Sequence, residues 1–207
     1  MTIPTRPDDS MQCLFSALEP VGSEIKVIPR KRMSWEYKGK PQLYLFMEGE
    51  ISLVRVTDGL VVASAYDPHI FGLGEAIQPK RYHILRVEKK SRILAVDVEN
   101  ALKIFDEQNL WRDVSTTLAY FNAYLVYRDE MVLQQRTYSV IRSHLQEMIG
   151  LPLEARLNTS ILDYIRLRTH LSRSSILNVI FVLKTEKHIE IKRGGFLVAI
   201  NNLPEKI

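Results

Sequence analysis

The first hundred residues alternate short apolar runs with turn residues, at a spacing that suits strands better than helices. "QLYLFMEGEISLVRV" (42–56) contains two runs rich in Leu, Tyr, Phe, Val and Ile, broken at Glu48-Gly49-Glu50, which predicts a hairpin. "DGLVVASAY" follows, opened by Asp58-Gly59, a pair that tolerates positive φ in a tight turn. "DPHIFGLGEAIQPK" (67–80), with glycines at 72 and 74 and prolines at 68 and 79, reads as a loop-rich crossover. "YHILRVEKKSRILAVDV" supplies two more strands. At least five closely spaced strands predict a β-sandwich or roll.

Near Glu99 the period changes. "NALKIFDEQ" has helical spacing, and a longer helix is expected from about Leu110 to Gln135. Along it Trp111, Val114, Leu118, Phe121, Leu125 and Val132 recur at steps of three and four, with Arg128 in the one gap. Such a helix, ~39 Å long at 1.5 Å per residue, overruns a domain of about a hundred residues. The stripe is therefore favoured as a seam between two copies over a face packed on its own β-domain.

The last third is helical with a β tail. "TYSVIRSHLQEMIG" stops at Gly150, with Pro152 beyond. "NTSILDYIRLRT" is a short helix with Asn158, Thr159 or Ser160 available as N-cap. "THLSRSSILNVIFVLK" follows, and "KHIEIKRGGFLVAIN" reads as two strands joined at Gly194-Gly195. Two short helices in close succession and a hairpin form a winged helix-turn-helix pattern. The expected division is 1–108 for the roll, 109–136 for the long helix and 137–207 for the winged helix.

Charge sharpens this picture. Residues 137–207 hold 10 Lys/Arg against 6 Asp/Glu, whereas residues 1–136 hold 18 of each. The whole excess of +4 lies in the last third, where a nucleic-acid-binding module is expected. On the helix from 173, Ile176, Val179, Ile180 and Leu183 form a buried stripe, and Ser172 is placed as N-cap. Arg173, Ser174 and Asn178 fall on or near the other side. An Arg can fork two bonds to guanine and an Asn two to adenine. Lys192 and Arg193 precede the wing glycines, where phosphates would pass.

Other chemistry is poorly supported. His69 and His83 are the only histidines of the roll and form no H-x-H or H-x-x-x-H pair, so no metal or other cofactor is expected. No nucleophile motif or glycine-rich phosphate loop is present, so no catalytic residue is assigned. Cys13 is the only cysteine, which excludes an internal disulfide. The start shows no secretory pattern and no run approaches a membrane span, so a cytoplasmic location is expected.

The order of β-roll, long helix and winged helix-turn-helix resembles the cyclic-AMP receptor protein and FNR-type bacterial regulators over nearly the whole chain. "IRLRTHLSRSSILNVIFVLKTEKHI" is similar to that family's helix-turn-helix, with Ser172-Arg173 at its Ser-Arg. "IFGLGEAI…RYHILRV" resembles its phosphate-binding cassette, and within the family the chain is most similar to a type tied to hydrogen peroxide resistance. The resemblance implies an α+β fold with a cyclic-nucleotide-binding-like jelly roll, and a homodimer acting on double-stranded DNA with RNA polymerase as a further partner.

The departures limit that inheritance. The cassette's Gly-Glu becomes Gly72-Leu73, which removes the carboxylate expected on the ribose. Arg81 stands at the phosphate-binding Arg, but the next Ser is Tyr82, whose ring is expected to fill the phosphate's space; Glu75 as a substitute carboxylate is the disfavoured alternative. Losing partners in a polar site costs about 1–3 kcal/mol each, so cyclic nucleotide is not expected to bind. The family's turn glycine is His170, its base-reading Glu is Ser174, and a basic residue further along is Asn178. Leu177 and Phe181 add apolar surface, which keeps open a module that binds protein instead of reading DNA.

Overall fold

The computed structural model describes residues 2–133 and 137–205. It separates into two compact units, Met1–Tyr127 and Arg128–Ile207. The first opens with helix α1 (Asp8–Leu18), whose Met11, Leu14, Phe15 and Leu18 are buried. Strands β1 (Ser23–Glu24), β2 (Arg32–Met33), β3 (Glu36–Tyr37), β4 (Lys40–Glu48), β5 (Ile51–Arg55), β6 (Val61–Ala65) and β7 (His69–Phe71) follow. Then come α2 (Leu73–Ile77), β8 (His83–Val87), β9 (Arg92–Asp97), α3 (Val98–Glu107) and α4 (Trp111–Leu133).

Two antiparallel sheets form the roll. One runs β1-β9-β4-β3, with β7 also paired to β4; the other runs β2-β8-β5-β6. The alternation of side chains along a strand explains the long apolar runs. On β4 and β9, Leu43, Leu45, Leu94 and Val96 pack with α1, α3 and the start of α4, while Tyr44, Phe46, Ile93 and Ala95 meet the second sheet. A sheet buried on both faces reads as continuously apolar.

The hairpin expected at Glu48-Gly49-Glu50 does not form. β4 and β5 belong to different sheets, and the chain crosses between them at Gly49, which has φ 111°. Ser91, in the β8–β9 turn, fastens the crossing: the Glu50 amide donates to Ser91 Oγ at 3.2 Å, and that hydroxyl contacts the Glu50 carbonyl at 3.3 Å. By contrast, Asp58-Gly59 does turn β5 into β6, with Asp58 Oδ1 accepting from the Leu60 amide at 3.1 Å. The expected crossover at 67–80 contains α2, entered through Gly72 at φ 96°.

The second unit contains α5 (Thr137–Ile149), α6 (Leu153–Asn158), α7 (Ile161–Arg166), α8 (Arg173–Thr185), β10 (Ile189–Lys192) and β11 (Phe196–Ile200). Its core gathers Tyr138, Ile141, Leu145, Met148, Ile161, Ile165, Ile176, Leu183, Ile189 and Leu197. Of the three candidate caps on α7, Ser160 takes the role, accepting from the Asp163 amide at 3.1 Å. α6 has only six residues after Pro152, too short for its period to stand out. The wing turns at Gly194 and Gly195, both at positive φ, and the Gly195 carbonyl accepts from the Ile161 amide at 2.9 Å.

The α4 stripe divides. Val114 is 1% exposed inside the roll's own core, and Leu118 and Phe121 pack against that core. These three positions pack on their own β-domain, because this part of α4 lies along the roll. Trp111 and Leu125 stay partly exposed, and the Val132 side chain lies outside the described residues. Arg128, the gap in the stripe, is 5% exposed and belongs to the second unit. Its Nη1 donates to Glu147 Oε2 at 3.1 Å and lies 3.4 Å from His144 Nε2.

Candidate nucleic-acid interface and the cavity of the roll

The mouth of α8 is built by local hydrogen bonding. Ser172 Oγ accepts from the Ser175 amide at 3.1 Å, so the capping expected of it is present. Ser174 and Ser175 hydroxyls lie 2.9 and 2.8 Å from the same oxygen. The buried stripe is as expected: Ile176 and Leu183 are fully buried, with Val179 and Ile180 packed beside them. That fixes which way the other side chains point. Ser172, Arg173, Ser174, Asn178, Lys192 and Arg193 are all exposed.

Two features favour an anion at this surface. The first amides of a helix carry a partial positive charge, and α8 has no acidic residue in its first turn. The turn before it avoids the strain that replacing a glycine by His170 threatened. His170 is not among the described residues with positive φ. Instead Thr169 Oγ1 bonds both ways, donating to the Ile165 carbonyl at 2.9 Å and accepting from the Leu171 amide at 3.3 Å.

Within the first unit the roll and α4 line a half-open cavity of about 460 Å³. Trp35, Phe71, Leu118 and Phe121 supply apolar walls, with Ser64, His69 and Glu75 among the polar groups. Of the cassette residues, Gly72, Leu73 and Glu75 line it, whereas Arg81 and Tyr82 do not. Arg81 instead pairs with Glu36 on β3. Tyr82 is 64% exposed, so its ring does not fill the phosphate's space as expected from sequence. Leu73 is buried in the core. Arg6 also borders the cavity, but it bonds the Pro68 carbonyl, Met11 Sδ and Asp8.

Burial governs the ionisation of the lining. Glu75 is raised above its ordinary range by desolvation, which opposes a second negative charge beside it. His69 is pushed down to about 3 by burial and then by Arg6. In the second unit His144 is pushed down to about 4, chiefly by burial and then by Arg128. Its Nδ1 sits 2.7 Å from the Val140 carbonyl, which can only accept, so Nε2 is left as acceptor toward Arg128.

A pH dependence follows. Both folded values lie below the ordinary 6.5, so the unfolded chain takes up protons first and stability falls as the pH is lowered. The stability held by neutral imidazoles is complete above about pH 6.5. It is lost as pH falls toward about 4 for His144 and about 3 for His69. Denaturant midpoints should decrease from pH 7.5 to pH 5, and His144→Gln should flatten the slope for the second unit. A midpoint independent of pH across that interval would contradict neutral burial.

Comparison with known proteins agrees with the geometry. A family model described as "Winged helix-turn-helix DNA binding" matches residues 137–205. A protein of Salmonella typhimurium named "Inhibitor of hydrogen peroxide resistance" is 29% identical over 164 residues, covering 79% of this chain and 78% of its own. The Escherichia coli K12 protein of the same name is 27% identical, covering 95% of this chain and 100% of its own.

Among solved structures, the c-di-GMP responsive global regulator CLP of Xanthomonas campestris superposes with TM-score 0.73 at 15% identity, over 92% of this chain and 100% of its own. FixK2 from Bradyrhizobium japonicum gives 0.70 at 15%, over 88% and 93%. Among the described residues no helix is long and apolar enough to cross a membrane. Roll, long helix and winged helix-turn-helix thus have the fold of solved CRP/FNR-family regulators, and the chain is similar in sequence to the inhibitors of hydrogen peroxide resistance.

Proposed function

We propose that the protein is a dimeric, DNA-binding transcription regulator acting in hydrogen peroxide resistance, whose roll does not answer to cyclic nucleotide. The observation that carries the reading is the exposed Arg173 at the open end of α8, with exposed Lys192 and Arg193 on the wing. Arg173 would be the main base reader, Ser174 and Asn178 secondary readers, and Lys192 and Arg193 phosphate contacts. Ser172 would hold the helix mouth in shape.

The pair would place two such helices in successive major grooves, about 34 Å apart. Exposed apolar surface at Trp111 and Leu125 supports a seam along α4. Arg81 held by Glu36, and Glu75 desolvated in the cavity, support the loss of a nucleotide phosphate site. The division at 1–108, 109–136 and 137–207, RNA polymerase as a partner and a cytoplasmic location belong to the same proposal. The peroxide role rests on the names of the relatives.

The test is gel-shift on duplexes selected by the full-length protein. Arg173→Ala should weaken binding by about 1–3 kcal/mol and relax preference at one position, whereas Lys192→Ala should weaken all sequences alike and lower the salt slope by about one. A second reading, a module that docks a protein, is favoured by the exposure of Leu177 and Phe181. Unchanged genomic occupancy in Arg173→Ala, with the biological effect retained, would select it.

A further inference from the structure

The outward side of α8 is partly apolar. A helix turns about 100° per residue, so Ile176, Val179, Ile180 and Leu183 share one side, and the opposite side is shared by Ser174, Asn178, Phe181 and Thr185. Phe181 is 69% exposed and Leu177 is 41% exposed. Neither joins the core of the second unit or a ring contact among the described residues. An aromatic ring left in water beside a second exposed apolar side chain on the same helix points to a partner surface.

The surroundings say what covers it. α8 contains no Asp or Glu; Arg173 and Lys184 lie along one edge of its exposed surface and Asn178 along the other. Two apolar side chains set between a basic edge and the polar Ser174 and Asn178 complement the major groove, where hydrogen-bonding base edges and phosphates surround one apolar feature, the C5 methyl of thymine. An apolar groove of a protein would instead meet the desolvation of those cations.

We propose that Phe181, with Leu177, is a specificity-determining element that packs on thymine methyl groups. Arg173 and Phe181 are eight residues apart, about 12 Å along the helix axis. At 3.4 Å per base step this is roughly three to four steps. The preferred site then has thymine about three to four base pairs from the guanine read by Arg173. This inference rests on the DNA reading above.

Deoxyuridine keeps every hydrogen-bonding group of thymine and lacks only the methyl, which makes it the decisive probe. Sites are selected from a random duplex pool by the full-length protein, then remade with deoxyuridine at each thymine in turn. Loss of one buried methyl should weaken binding about fourfold. Phe181→Ser, whose fold is checked by circular dichroism, should bind thymine and deoxyuridine duplexes equally.

Enriched sites with no effect of deoxyuridine on the wild type overturn the inference and leave the DNA reading standing. A deoxyuridine effect that persists unchanged in both Phe181→Ser and Leu177→Ser overturns it as well. If the pool yields no enriched sequence, the DNA reading fails and this inference falls with it.

Discussion

Glu147→Ala should destabilise the winged-helix unit by about 3–5 kcal/mol, the range seen when one partner leaves a buried ion pair. The side chain of Arg128 is only 6% exposed and that of Glu147 12%, so the loss cannot be made good by bulk water. The carboxylate also offsets the effect of Arg128 on His144, whose depressed value it raises. Removing it leaves a guanidinium facing a neutral imidazole 3.4 Å away.

Hydrogen exchange of the α5 amides in the full chain would read the change. Arg128→Leu combined with Glu147→Leu should recover much of it, because no uncompensated charge is then buried. A single substitution costing less than about 1 kcal/mol would put the pair in effective contact with solvent.

Gly49→Ala should cost about 3 kcal/mol or more in the roll. At φ 111° a side chain is strained regardless of its neighbours. A Cβ there would also lie 2.3 Å from Ser91 Oγ, 2.6 Å from the Lys90 carbonyl oxygen and 2.7 Å from Ser91 Cα. Two of these atoms are backbone, so relief requires moving the turn that carries β8 into β9, and forced displacement of packed structure costs about 1–3 kcal/mol.

Gly59→Ala is the informative comparison. Its φ is also positive, at 72°, but an added Cβ meets nothing within 4 Å. Its loss should be smaller, limited to backbone strain. Equal losses for the two variants, by denaturant unfolding of the full chain, would show that crowding at the crossing contributes nothing.

Features set by neighbouring residues were legible in the chain itself. The cap at Ser172, the buried stripe of α8, the Asp58-Gly59 turn and the two-glycine wing each depend on spacing, on a side chain reaching its own backbone, or on tolerance of positive φ. The exposure of Arg173, Lys192 and Arg193 follows from the same periods, so the candidate interface was largely readable. Ser160 could be narrowed only to one of three, since all three residue types can cap.

Only the tertiary structure decided which surfaces meet. Periodicity says that a face is buried, not what buries it; many strand partners would satisfy the same apolar run. Thus β4 and β5 part company at Gly49, and Val114 turns to its own roll. Arg81 finds Glu36 across 45 positions, and Arg128 finds Glu147 across 19. Such pairs are long-range electrostatic choices, and a chain read residue by residue carries charges and spacings but not the distances that decide between partners.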